Sequence, residues 1–309
     1  MDAPLKIGVV GAGRVGAVLA AALRRAGHEI AAVAGESDAS RGRIADLLPG
    51  VRVAKPTAVS RAADVLLLTV PDDMLANVVE MLTASGAIRR GQYVVHTSGR
   101  HGLAVLEPAK GAGAHVVALH PAMTFTGTAV DLDRLSPISG VGCVFGLTAA
   151  TADRAFAERL VADLGGRPMW VPEEMRTLYH AGLAHGANHL VTLVSEAMEI
   201  LTAAGATDPA GTLRPLLQAA LDNALESGDA ALTGPIVRGD IGTVAAHLED
   251  LRSNAPTMLP SYLAMARATL DRAVADGRLL PIRAARLRDV LDGAAAGDWD
   301  DVLDRSAWA

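Results

Sequence analysis

An apolar run, Ile7-Gly8-Val9-Val10, passes without a break into Gly11-Ala12-Gly13-Arg14-Val15-Gly16. An alanine-rich stretch from Ala17 to Ala26 follows, closed by Gly27. Strand, glycine-rich turn and helix in that order constrain the fold more than any other feature of the chain. Gly-x-Gly-x-x-Gly in this setting is the fingerprint of a dinucleotide-binding βαβ unit. Gly11 permits the tight turn, Gly13 lets backbone approach a pyrophosphate, and Gly16 lets helix and strand pack closely. The helix N-terminus offers unpaired N–H groups and the positive end of its dipole. Gly11, Ala12, Gly13, Arg14, Val15 and Gly16 are therefore expected to hold a cofactor.

The pattern continues through the first half. Apolar runs at Lys6–Val10, Ile30–Ala34, Val51–Val53, Val65–Thr69, Tyr93–His96, Val116–Leu119 and Val141–Phe145 read as strands. Helical stretches at Val15–Ala26, Ser40–Leu48, Asp73–Ala84, Gly102–Lys110 and Ala150–Leu164 lie between them. Continuous apolar strands with crossover helices predict a doubly wound, mostly parallel sheet covered on both faces. After Trp170-Val171-Pro172 the chain reads as helix after helix, at about Glu173–Ala204, Pro209–Leu225, Ile241–Ser253, Thr257–Ala275 and Pro281–Ala294. The fold class is thus α/β followed by all-α. Residues 1–172 form the dinucleotide-binding domain, and residues 173–309 a helical domain for substrate and dimerisation. A length of 309 residues suits two domains.

Composition excludes several function classes. A net charge of −6 gives no basic footprint for nucleic acid. Hydrophobic residues make up 50% but aromatics only 3%, so the core is built from Ala, Val and Leu. Cys143 is the one cysteine, which fits a reducing cytoplasm. No signal peptide and no apolar run of ~20 residues is expected, hence no membrane partner. His185 and His189 have helical metal-ligand spacing but lack a third ligand, so no metal is expected.

The loops at strand C-termini should meet the cofactor and substrate. Glu36 stands about 20 residues past the glycines, where an acidic side chain binds the ribose 2′-OH of NAD. Ser37, Ser40, Arg41 and Arg43 crowd the same loop and suit a 2′-phosphate, which favours NADP. Ser40 alternatively caps the following helix. Val70 and Pro71 end the fourth strand, with Asp73 as a helix cap. Thr97 and Ser98, in His96-Thr97-Ser98-Gly99, and His120, in His120-Pro121, offer polar groups to cofactor ribose or substrate.

On the first helix of the second half, His180, Ala184 and Asn188 fall within about 80° of arc. Gly234-Pro235-Ile236-Val237-Arg238-Gly239-Asp240 packs a guanidinium and a carboxylate into one bent loop. Arg238 suits a bidentate grip on a substrate carboxylate, and Asp240 suits a helix N-cap.

With Val70-Pro71-Asp72, His96-Thr97-Ser98-Gly99, His120-Pro121, Tyr179-His180-Ala181, Asn188 and the Gly234–Asp240 segment, the chain resembles Rossmann-like proteins with a helical C-terminal domain of formerly unknown function. These are relatives of ketopantoate reductase, pyrroline-5-carboxylate reductase and the 3-hydroxyacid dehydrogenases. The resemblance implies NADP(H), hydride transfer to a carbonyl or imine, and a homodimer built through the helical domain. His180 stands where ketopantoate reductase and the hydroxyacid dehydrogenases carry a catalytic lysine. Ala184 replaces their first asparagine, and Asn188 matches the second. The expected reaction is reduction of a small 2-oxo acid, ketopantoate first. His180 gives the proton, Asn188 and Ser98 orient the carbonyl, and Arg238 holds the carboxylate. Imine reduction or 3-hydroxyacid oxidation are alternatives on the same fold. A non-catalytic NADP-binding sensor or scaffold is an alternative of another class.

Overall fold

The computed structural model describes residues 3–135, 142–299 and 302. The chain divides into two compact units, Met1–Ala187 and Asn188–Ala309. In the first, strands β1 (Lys6–Val10), β2 (Glu29–Ala34), β3 (Val65–Leu68), β4 (Tyr93–His96), β5 (His115–Pro121), β6 (Val144–Ala149) and β7 (Arg167–Trp170) form one sheet in the order β2-β1-β3-β4-β5-β6-β7. Pairing is parallel throughout except between β5 and β6. Helices α1 (Arg14–Arg25), α2 (Asp38–Leu47), α3 (Pro56–Arg61), α4 (Asp72–Ala84), α5 (Glu107–Gly111), α6 (Val130–Leu135) and α7 (Arg154–Asp163) connect the strands.

The continuous apolar strands are explained by two cores. Val9, Leu67, Val95 and Val117 point into one core, with Leu19 of α1 and Leu160 of α7. Their chain neighbours Val10, Leu66, Leu68, Val94 and Val116 point into the other, with Leu75 and Val79 of α4. A strand buried on both faces has no polar alternation to show.

Several expected elements differ. Val51–Val53 is not a strand: Val53 makes a single bridge to Val33. The run expected at Val141–Phe145 is paired over Val144–Ala149, and Val141 lies outside the described residues. Gly102–Lys110 divides into a 3-10 turn at Ala104–Leu106 and the short α5. The edge strand β7 and helices α3 and α6 were not expected from the sequence.

The helical half holds α8 (Arg176–Ala203), which begins in the first unit, then α9 (Pro209–Ser227), α10 (Pro235–Arg238), α11 (Ile241–Asn254), α12 (Leu259–Ala275) and α13 (Pro281–Ala296). Strands end at Trp170, near the expected boundary at 172/173, whereas the compact units divide inside α8. The core of the second unit joins α11, α12 and α13 through Val244, Leu248, Leu270, Leu287 and Leu291. No helix among the described residues is long and apolar enough to cross a membrane.

Candidate functional site

From β1 the chain crosses to β2 on one side, then returns to place β3 on the other. Ligands of doubly wound sheets bind at such a switch point, beyond the strand C-termini. A cleft of about 830 Å³ lies there, lined by Gly11, Ala12, Gly13, Arg14 and Val15. Gly11 has φ 101°, and Gly13 could carry a Cβ that meets only the Gly11 carbonyl at 3.8 Å, so the space above it is open. Gly16 is different: a Cβ there would collide with Thr69 Oγ1 and the Gly11 carbonyl oxygen. Thr69 Oγ1 donates to that same carbonyl at 2.7 Å and fixes the turn. Val70, Pro71, Thr97 and Ser98 line the far part of the cleft. These features fit a dinucleotide.

Glu36, Ser37 and Ser40 line the cleft at its β2 end. Ser37, not Ser40, caps α2: its Oγ accepts from Ser40 N at 3.1 Å. Neither Arg41 nor Arg43 is among the lining residues; Arg41 pairs with Asp38 at 2.6 Å on the surface. Arg43 instead flanks Gly127. A Cβ on Gly127 would lie 2.7 Å from Arg43 Nε and 3.0 Å from Arg14 Cγ, so this glycine brings two cationic side chains together beside the α1 N-terminus. Asp131, fully buried, holds that loop by accepting from the N–H groups of Thr126 (2.8 Å) and Gly127 (2.7 Å). Asp73 is not a cap. Pro71 occupies the N-cap position of α4 with no side-chain bond, and Asp73 falls in the first turn.

Beside the Ser98 end of the cleft, histidines converge from three elements. His96 ends β4 and is fully buried. Its Nδ1 accepts from Ser98 N at 3.1 Å, and its Nε2 donates to Gly102 O at 2.9 Å. Burial lowers its pKa to about 3, so the ring stays neutral and shapes the loop. His120, near the end of β5, shares a 2.9 Å hydrogen bond between Nδ1 and the Tyr179 hydroxyl. Burial first, then the neighbouring His180 and Arg176, lower its pKa to about 4. The rings of His120 and His180 meet edge to face at 5.7 Å. Gly99 is what lets them approach the loop: a Cβ there would collide with His180 and lie 3.1 Å from His120 Nε2.

Three of these supporting residues escape sequence reasoning. Arg176, at the start of α8, reads as solvated surface but is fully buried. Its Nη2 donates to Ser98 O at 2.7 Å and its Nη1 to Thr148 Oγ1 at 3.0 Å, while Nε has no partner. Burial lowers its pKa. Glu173 accepts from Leu103 N at 2.8 Å and Ala104 N at 3.2 Å, and so fixes the segment after the His96 loop. Tyr179 lines a second cavity, of about 740 Å³, with Met123, Val144, Met169 and Leu183. The one available signal was spacing: Glu173, Arg176 and His180 recur at three to four residues, although Glu173 stands in the 3-10 turn just before α8.

The structure thus brings Ser98, His120 and His180 together and places Thr97 and Ser98 on the nucleotide cleft. Asn188 is exposed, two turns beyond His180 on α8 and in the second unit. Arg238 is also in the second unit and exposed, in the four-residue α10 between Gly234 (φ 99°) and Gly239 (φ 70°). Asp240 caps α11 as expected, accepting from Thr243 N at 3.0 Å and Thr243 Oγ1 at 2.7 Å; both bonds lower its pKa. Among the described residues no group of acidic, histidine or cysteine side chains is placed to hold a metal ion.

Comparison with known proteins agrees with this architecture. Residues 1–121 match the Rossmann-like domain family, and residues 143–269 match a domain family of unknown function, DUF2520. No curated protein matches the chain. Among solved structures, a candidate NADP oxidoreductase from Bacteroides fragilis is similar with a TM-score of 0.72 at 23% identity, over 86% of this chain and 98% of that one. A reductive aminase from Aspergillus terreus, in complex with NADPH and ethyl-5-oxohexanoate, gives 0.58 at 17% identity, over 96% and 95%. Pyrroline carboxylate reductase from Plasmodium falciparum, with NADP bound, gives 0.56 at 13% identity, over 89% and 97%. At these identities the likeness is one of fold.

Proposed function

We propose that this chain, a Rossmann-like domain followed by a DUF2520 domain, is an NADP(H)-dependent reductase of a small carbonyl compound, with 2-oxo acids, ketopantoate first, as its substrate class. The observation that carries the reading is the placement of His120 and His180 against Gly99, in the loop whose Thr97 and Ser98 line the nucleotide cleft. A cofactor in the cleft and a proton donor beside its end are the two things carbonyl reduction requires. The pyrophosphate belongs on the N–H groups of the Gly11–Gly16 turn. The 2′-phosphate belongs with Ser37, Ser40 and the Arg14–Arg43 pair, whose charge no salt bridge among the described residues offsets; Arg41 is already held by Asp38. NADP or NADPH bound in two of the similar structures supports this choice.

Bound there, NADPH supplies a hydride. The chain's own residues do the rest: Ser98 orients the acceptor and His180 donates the proton. The protein is a homodimer, a reading supported by the exposed apolar side chains of α8 and α9. The same fold in a reductive aminase and a pyrroline carboxylate reductase favours imine reduction as the second reading.

The test is NADPH oxidation at 340 nm against a panel of 2-oxo acids and cyclic imines, with NADH in parallel. One 2-oxo acid should turn over, with NADPH preferred, and Arg43→Ala should raise the KM for NADPH about tenfold or more while leaving that for NADH alone. His180→Ala should lower kcat by about 10²–10⁴-fold. Cofactor binding with no turnover of any member would replace the reductase by a sensor.

A further inference from the structure

The Tyr179 hydroxyl sits against two groups. One is His120 Nδ1, at 2.9 Å. The other is the backbone of Gly146, where an added Cβ would lie 2.5 Å from the hydroxyl oxygen. The hydroxyl has one proton to place, and His120 Nδ1 is the acceptor within reach. The phenol is itself held un-ionised, since burial raises its pKa. His120 then carries its proton on Nε2, the atom beside Gly99, which follows the cleft-lining Thr97 and Ser98 in the same loop.

We infer that His120 is a second, neutral hydrogen-bond donor to the reacting atom, locked in the Nε2–H tautomer by Tyr179, and that the site therefore takes a neutral carbonyl rather than a protonated iminium. The inference rests on the reductase reading and chooses between its two substrate classes. A carbonyl oxygen has two lone pairs, one for His120 Nε2–H and one for the His180 proton. As hydride reaches carbon, negative charge grows on that oxygen and both donors stabilise it. A protonated iminium nitrogen has no lone pair to accept either bond. The groups facing His120 are Tyr179, His180 and Arg176 from α8, and Asp72 at the start of α4. Two of these four can carry positive charge, and Asp72 is paired with Arg100 at 3.4 Å. Tyr179 acts through His120 and is a positioning residue. Gly146 belongs to the same device, because no other residue leaves room for the phenol.

The tautomer is read by nitrogen NMR on the full-length, ¹⁵N-histidine-labelled chain without substrate, with His120 identified by its absence in His120→Gln. The expected spectrum has an unprotonated Nδ1 and a protonated Nε2, unchanged from about pH 5.5 to 8, and Tyr179→Phe releases the ring into tautomer exchange. A protonated Nδ1, or a ring that charges within that range, overturns the lock. The substrate half is read by turnover. With a 2-oxo acid, Tyr179→Phe should lower kcat about tenfold or more at unchanged KM for NADPH, as loss of one directed hydrogen bond predicts. Faster turnover of a cyclic iminium than of any carbonyl, or its loss in Tyr179→Phe by the same factor, overturns the substrate class. Turnover of neither substrate removes the reductase reading, whereas the NMR result judges the lock by itself.

Discussion

Glycine at position 146 sets the geometry of the site as firmly as any polar residue. A methyl group there would lie 2.5 Å from the Tyr179 hydroxyl oxygen and 2.7 Å from its ring carbon. Gly146→Ala must push the phenol off His120, and overpacking of this kind costs about 1–3 kcal/mol. Urea unfolding should register that loss, and Gly146→Ala paired with Tyr179→Phe should recover little of it, because the ring carbons collide as well. The two buried histidines make a second prediction at this scale. His96 and His120 have folded pKa values of about 3 and about 4, below the ordinary 6.5. Above pH 6.5 both are neutral whether folded or unfolded, and their full contribution is present. As pH falls below 6.5 the unfolded chain takes up protons that the folded chain refuses, so stability drops by about 1.4 kcal/mol per pH unit for each. Unfolding free energies measured from pH 7 down to pH 4.5 should fall accordingly, and His96→Gln should flatten the slope. A slope that the substitution leaves unchanged would mean that the His96 ring is solvated.

At the scale of elements, α8 contradicts the usual rule that glycines break helices. Gly182 and Gly186 both lie inside it, both are exposed, and a Cβ on either meets nothing within 4 Å. Alanine at each position should then stabilise the helix by about 0.5–1 kcal/mol through lower unfolded-state entropy. A double variant no more stable than the parent would show that something occupies the space above that face. Element legibility followed the strength of local pattern. β1, β3 and β4 are short apolar runs bounded by turns and stand where periodicity puts them, and α11 to α13 follow their 3.6-residue stripes closely. β7 was missed because Arg167-Pro168-Met169-Trp170 is largely exposed and contains a proline, which only an edge strand tolerates. Val51–Val53 looked like a strand, but only Val53 finds a partner. The cofactor turn was legible because its glycines act locally. Arg176 was not legible, because its burial depends on Ser98 and Thr148, far from it in sequence.

At the scale of the whole molecule, two long helices are left without enough to pack against. α8 has 28 residues and α9 has 19, yet the only buried residues are Arg176 in the first and Leu213 in the second. Both carry large apolar side chains in water: Val191 is 67% exposed, Leu216 65% and Leu225 78%. A helix apolar on more than one side belongs in an interior, and large apolar side chains left exposed along two helices suit an association site. A second copy of the chain is the partner that the proposed homodimer supplies, and specific interfaces bury about 1,200–2,000 Å² in total. Light scattering on the eluting protein should therefore give twice the 31.8 kDa of one chain. Val191→Glu combined with Leu225→Glu should yield single chains, since a charge buried without a partner costs several kcal/mol. Circular dichroism should show the variant still helical, because the α11–α13 core does not involve either position. If the parent elutes as a single chain, the exposed faces of α8 and α9 serve some other partner and the dimer is wrong. If the parent is a dimer that survives both substitutions, the interface lies elsewhere on the chain.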